Sequence, residues 1–119
     1  DLFGSYGNDW QLFLNLPPEC MDCNSLHQCP DQRHFCQVRD ILDFHRKIMS
    51  NNKALRYALE KMAQVPFEII APQHGSIITD RKLQDCVFSR LAELNDVGVD
   101  ALVEEHHEFN YERTKEWAN

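Results

Sequence analysis

The stretch Phe67-Glu68-Ile69-Ile70-Ala71-Pro72-Gln73-His74-Gly75 constrains the fold of this chain more than any other. Its first five residues are apolar and β-branched enough for a short buried strand. Pro72 then ends the run, because proline cannot donate to a ladder and restricts the residue before it. The residues before it carry a helical period instead. Val38, Ile41, Leu42, His45, Ile48 and Met49 recur at three- and four-residue spacing, as one face of a helix requires. Ser50-Asn51-Asn52 interrupts that helix and offers an N-cap for a second, whose buried face is Ala54, Leu55, Ala58, Leu59 and Met62. Helices leading into a short buried strand predict a layered α/β (or α+β) unit with few strands and two to three helices.

Other signals extend this outline. Trp10 to Leu16 is a short apolar segment, stopped by Pro17-Pro18, that suits a strand or sheet edge. Residues 19–36 show neither period and read as an irregular cysteine-rich loop. After Ile77-Ile78, Thr79 or Asp80 can cap a third helix striped by Leu83, Val87, Phe88, Leu91 and Leu94, with Gly98 closing it. A further helix from Val99 through Leu102 and Val103 soon becomes polar. We therefore expect a body over residues 1–79 and a helical extension or signalling linker over 80–119.

Charge narrows the partners. The net charge is −7, and residues 80–119 carry five Lys/Arg against ten Asp/Glu. With no basic stripe, neither nucleic acid nor an anionic membrane is the expected partner. No run approaches the roughly 18 apolar residues of a membrane helix. There is no secretory pattern at the start, and Asp1 opens the chain without a methionine, so a processed or excised piece of a cytoplasmic protein is expected.

Two groups of residues can carry chemistry. At the strand end, a rigid scaffold holds His74 beside Gly75, which lets backbone pass close, and neutral imidazole suits iron or zinc. A solvated turn histidine is the plainer reading. In the loop, Cys20-x2-Cys23-x5-Cys29-x6-Cys36 could hold tetrahedral zinc or an iron–sulfur cluster, with His27 or His34 replacing one thiolate. The spacing is not that of a zinc ribbon, and a redox-responsive thiol pair or incidental cysteines remain open. Cys86 reads as a small buried residue. His45 reads as a core histidine with its polar atoms satisfied, His106-His107 as solvated, and Glu60 and Glu68 as surface carboxylates.

The segment from Phe44 to Ile78 resembles the end of a metallo-β-lactamase-fold domain. It is most similar to the flavodiiron proteins and the related diiron oxygen-binding signalling proteins. In that family a helix pair leads to a strand ending in Ala-Pro-x-His-Gly, whose histidine is the last ligand of a dimetal site. Ala71-Pro72-Gln73-His74-Gly75 places His74 there. Asp1-Leu2-Phe3-Gly4 resembles the family's Asp-Ala-Phe-Gly, whose aspartate bridges two irons, which implies that role for Asp1. The resemblance covers residues 1–16 and 38–79 and implies the C-terminal portion of an αββα domain.

This chain departs from the family in two ways. The His-x-Glu-x-Asp-His run and a further histidine do not occur here, so the chain cannot complete a diiron site. Nor does a flavodoxin-like phosphate loop follow His74. Three functions stay open. The chain is part of a diiron oxygen-binding or redox-sensing signalling protein, lending ligands and a helical connector to an output domain. Or it is a fragment of a flavodiiron-type oxygen or nitric oxide reductase. Or it is a zinc- or iron–sulfur-stabilised interaction module. The first implies iron, O2 or NO as ligand, and the upstream half of the same domain as partner. A half-domain with an exposed sheet face could also pair with a second copy.

Overall fold

The computed structural model describes residues 1–6, 11–21 and 36–105. Among them the chain is mostly helical, with five helices: α1 (Pro18–Met21), α2 (Gln37–Ile48), α3 (Asn52–Ala63), α4 (Arg81–Ala92) and α5 (Val99–Glu105). No helix among the described residues is long and apolar enough to cross a membrane.

Two of the three long helices begin at a capping side chain. Asn51 caps α3 by accepting the Ala54 N–H on its side chain, and Asp80 caps α4 by accepting from Lys82 and Leu83. α2 has no side-chain cap at Cys36. It gains instead from Asp40 in its first turn and Arg46 and Lys47 in its last, each complementing the helix dipole. Its buried face is Val38, Ile41, Leu42, Phe44 and His45. The periodicity located that face but misplaced its margin: Ile48 is half exposed, and Phe44 is buried with an edge-to-face contact to Tyr6.

The core lies where α2, α3 and α4 meet. Leu42, Leu55, Leu83, Val87 and Leu91 are almost wholly buried there, together with Phe3, Ile78 and Val97 from the connecting segments. Burial of each such leucine stabilises the fold by roughly 1.5–3 kcal/mol relative to exposure.

The sheet is smaller than expected. The predicted strand Phe67–Ala71 is reduced to an antiparallel bridge between Ile70 and Ile78, and the described residues 11–16 of the second apolar segment to a parallel bridge between Phe13 and Ile77. Residues 77–78 therefore lie between the two outer segments. The buried Gln84 of α4 lies alongside the bridge: its amide donates to the Ile78 carbonyl (2.9 Å), which also accepts the Ile70 N–H, and to the Glu68 carbonyl (2.8 Å), which a longer ladder would use. Ile70 and Ile78 face the core, while Ile69 and Phe13 stay more than half exposed.

Two further expectations are corrected. The cysteine-rich segment is not irregular throughout, since residues 18–21 form α1; residues 22–35 lie outside the described residues. And Gly98 does not close α4. That helix ends at Ala92, and Leu94, expected on its stripe, is buried beyond its end. Gly98 instead precedes α5 with φ +56°, lying against the α2–α3 junction.

Candidate metal centre

Two segments far apart in sequence interlock at one end of this core. The turn from Asp1 to Gly4 closes with the Gly4 N–H donating to the Asp1 carbonyl (3.1 Å), and the Ser5 N–H then donates to the His74 carbonyl (2.9 Å). Gly4 allows that approach: a Cβ there would stand 2.8 Å from the His74 carbonyl oxygen, closer than real Cβ atoms come. Gly75, read from sequence as room for a metal, in fact makes room for the Ser5 backbone.

The interlock places the Asp1 carboxylate against the Gln73–His74 loop. One oxygen accepts the Gln73 N–H (3.0 Å). The other accepts the His74 N–H (3.0 Å) and lies 2.7 Å from His74 Nδ1. A carboxylate only accepts, so Nδ1 carries the proton and Nε2 presents the lone pair. The Asp1 side chain is 12% exposed and that of His74 59%, so the carboxylate is held from behind while the imidazole faces outward. Asp1 and His74, which the resemblance assigns to one dimetal site, thus lie in hydrogen-bond contact.

The turn rests on α2. Phe3, 1% exposed, has φ +69°, a left-handed conformation costing a bulky residue about 1–2 kcal/mol. Its N–H donates to His45 Nε2 at 2.9 Å, and His45 Nδ1 lies 2.7 Å from the Ile41 carbonyl one helical turn back. His45 is 1% exposed, and burial pushes its pKa below the ordinary value of 6.5, with the Ile41 bond opposing this. It is the satisfied core histidine the periodicity suggested. Its contact with the Asp1 turn, 42 residues away, has no sequence signal.

The donor set meets part of a metal's needs. One carboxylate and one imidazole suit iron, and a metal-bound histidine ordinarily gives its other ring N–H to a carboxylate or carbonyl. Yet among the described residues no group of three or more His, Cys, Asp or Glu is placed to hold a metal ion. In this arrangement His74 Nε2 offers one ligand position, Asp1 stands behind the imidazole as the carboxylate that orients it, and the pair does not close a site.

The cysteines are only partly placed. Cys20 and Cys36 are half-buried and pack against the core, and Cys86 of α4 brings its Sγ to 3.4 Å from the Met21 carbonyl, beside the helix that carries Cys20. Cys86, set aside in the sequence, therefore borders the start of the cysteine segment; a position on a helix stripe could not reveal this. Cys23, Cys29, His27, His34 and His106-His107 lie outside the described residues. Glu60 and Glu68 are exposed.

The family described as ODP family beta lactamase matches residues 1–75, which end just past His74. A solved structure titled as a peroxy diiron species of the chemotaxis sensor ODP shares the fold. The two have a TM-score of 0.62 and 22% identity, over 87% of this chain and 37% of that one. The chain thus spans little more than a third of that structure's length. No curated protein matches it.

Proposed function

Because the chain belongs to the ODP family of beta lactamases, we propose that it supplies ligands and a helical connector to an iron-binding, oxygen-responsive sensory domain. The observation that carries this reading is the pairing of Asp1 with His74, Oδ2 to Nδ1 at 2.7 Å, by a turn and a loop 73 residues apart. The structure similar in fold is titled as a diiron chemotaxis sensor, which supports iron as the metal and sensing as the role.

In this reading residues 1–79 are the C-terminal portion of a larger domain whose upstream half brings the remaining ligands. The exposed outer side of the small sheet, with Phe13 and Ile69 more than half exposed, supports that half as the partner. Iron held there would supply a redox-active position for O2 or NO. This chain's own part is to orient: Asp1 fixes the His74 tautomer, and the Gln73 and His74 N–H groups fix the Asp1 carboxylate.

Residues 80–119 are the connector, and hydrogen bonds tie its described part to α2 and to the α2–α3 junction. Arg46 pairs with Asp96 at 3.0 Å, the Gly98 N–H donates to the Arg46 carbonyl at 2.8 Å, and the Val99 N–H donates to the Ser50 carbonyl at 3.0 Å. Since α2 also supports the Asp1 turn through His45, one rigid helix touches both the ligand turn and the start of α5. A shift of the turn would move the base of α5 through that helix.

The test is the oxygen response of the whole protein that carries this chain, with His74→Ala and Asp1→Asn. Loss of the response in both, with protein level and helicity kept, is expected. A full response in either variant would sink the reading, and turnover of oxygen supported by bound flavin would point to the reductases instead.

A further inference from the structure

We propose that His45 is a positioning residue for Asp1: its Nε2 lone pair holds the Asp1–Gly4 turn in the arrangement that sets the Asp1 carboxylate against His74. The consequence for metal binding rests on the reading above. The positioning itself does not.

Three observations carry the inference. Phe3 has φ +69°, a conformation that a buried phenylalanine keeps only where its surroundings enforce it. Its side chain is fixed in the core, and its N–H meets His45 Nε2 at 2.9 Å. That N–H is buried, so without His45 it would have no partner in place of the imidazole.

The second observation is the tautomer. The Ile41 carbonyl at 2.7 Å can only accept, so Nδ1 carries the proton and Nε2 must be the acceptor. α2 therefore presents an acceptor of fixed direction, on a rigid element, at the underside of the turn. Leucine would fill the same core space and offer none.

The third is the register of the turn. Phe3 lies between the residue that carries the carboxylate and Gly4, whose N–H returns to the Asp1 carbonyl at 3.1 Å. Rotating the Phe3 backbone out of its positive φ swings Asp1 away from Gln73 and His74. His45 touches neither Asp1's carboxylate nor His74 in this arrangement, and acts on both through the peptide it holds.

Two substitutions separate positioning from packing. His45→Gln keeps an acceptor at about the reach of Nε2. His45→Asn keeps a donor for the Ile41 carbonyl but falls short of Phe3. If the asparagine variant does not fold, His45→Leu takes its place in the same comparison. In the 119-residue chain, nitrogen-15 spectra of the imidazoles report the His74 tautomer, and Co2+ titration reports the affinity of the Asp1–His74 pair.

We expect wild type and His45→Gln to hold His74 with its proton on Nδ1, and His45→Asn to release it to the mixture of a free histidine at unchanged helicity. Co2+ affinity should fall about 10–100-fold in His45→Asn and stay within about threefold in His45→Gln, as for other groups that orient a metal ligand. An unchanged His74 tautomer in His45→Asn overturns the inference, as does equal damage in both variants. The tautomer decides the positioning: if wild type binds no Co2+, the inference stands only where the tautomer still follows the substitutions.

Discussion

Gly98→Ala should unlatch the start of α5 from the α2–α3 junction, and its cost follows from the backbone. At φ +56° an alanine pays about 1–2 kcal/mol for the left-handed conformation. Its Cβ would also stand 2.5 Å from the Ser50 carbonyl carbon and closer still to the Ser50 and Met49 oxygens. Those are backbone atoms at a helix junction, so residues 97–99 must move rather than their neighbours. Moving them weakens the Gly98-to-Arg46 and Val99-to-Ser50 hydrogen bonds, each contributing about 0.5–1.5 kcal/mol. Together the loss is about 2–5 kcal/mol, a large part of the roughly 5–15 kcal/mol that holds a small domain together. Urea unfolding followed by circular dichroism should show the midpoint falling by roughly 1–2 M at unchanged slope. Ser89→Ala, exposed on α4, should change stability by less than about 0.5 kcal/mol. A Gly98→Ala midpoint equal to wild type would refute the claim that this close approach exists in solution.

Protonation of His45 gives a pH test of sign. Its folded-state pKa is lowered by burial, so the folded chain binds fewer protons than the unfolded one below the ordinary value of 6.5. Its contribution is then complete above 6.5 and is lost as pH falls through the window below it, at no more than about 1.4 kcal/mol per pH unit; denaturant midpoints from pH 7.5 to 5 should show this, and His45→Gln should remove it. Asn52→Ala should cost about 1–3 kcal/mol, because its side chain accepts from the Val97 N–H at 2.9 Å and donates to the Asn95 carbonyl at 2.7 Å. Hydrogen exchange at the Val97 amide should rise with it, and exchange in α2 should not.

The helices were legible because their signals are local. Asn51 and Asp80 cap as their residue types demand, and the apolar spacing of Val38, Ile41 and Leu42 marks the face that is buried. The strand was overread for a related reason. Phe67–Ala71 has strand composition, but pairing is a long-range event, and only Ile70 finds a partner, in Ile78. Gly98 misled because a glycine after a helical stripe ordinarily ends the helix, whereas here the contact with Ser50 sets the requirement.

At the site, the motif resemblance implies one dimetal site for Asp1 and His74, and the folded chain brings the two to 2.7 Å. His45 was readable as a core residue and not as the support of a turn 42 positions away, since nothing in a helix stripe records what its far edge touches. Cys86 illustrates the same limit, its neighbour Met21 being 65 residues distant.

In the proposed function Asp1 and His74 serve one metal. Anaerobic iron titration of the protein that carries this chain, beside Asp1→Asn and His74→Ala, tests it most directly. Tight iron uptake by the wild type is expected, with a loss of affinity of about 10-fold or more in each variant, as removal of a ligand at least matches the effect of an outer-shell change. Iron bound equally by all three would contradict it and move the metal, if there is one, away from this turn and loop.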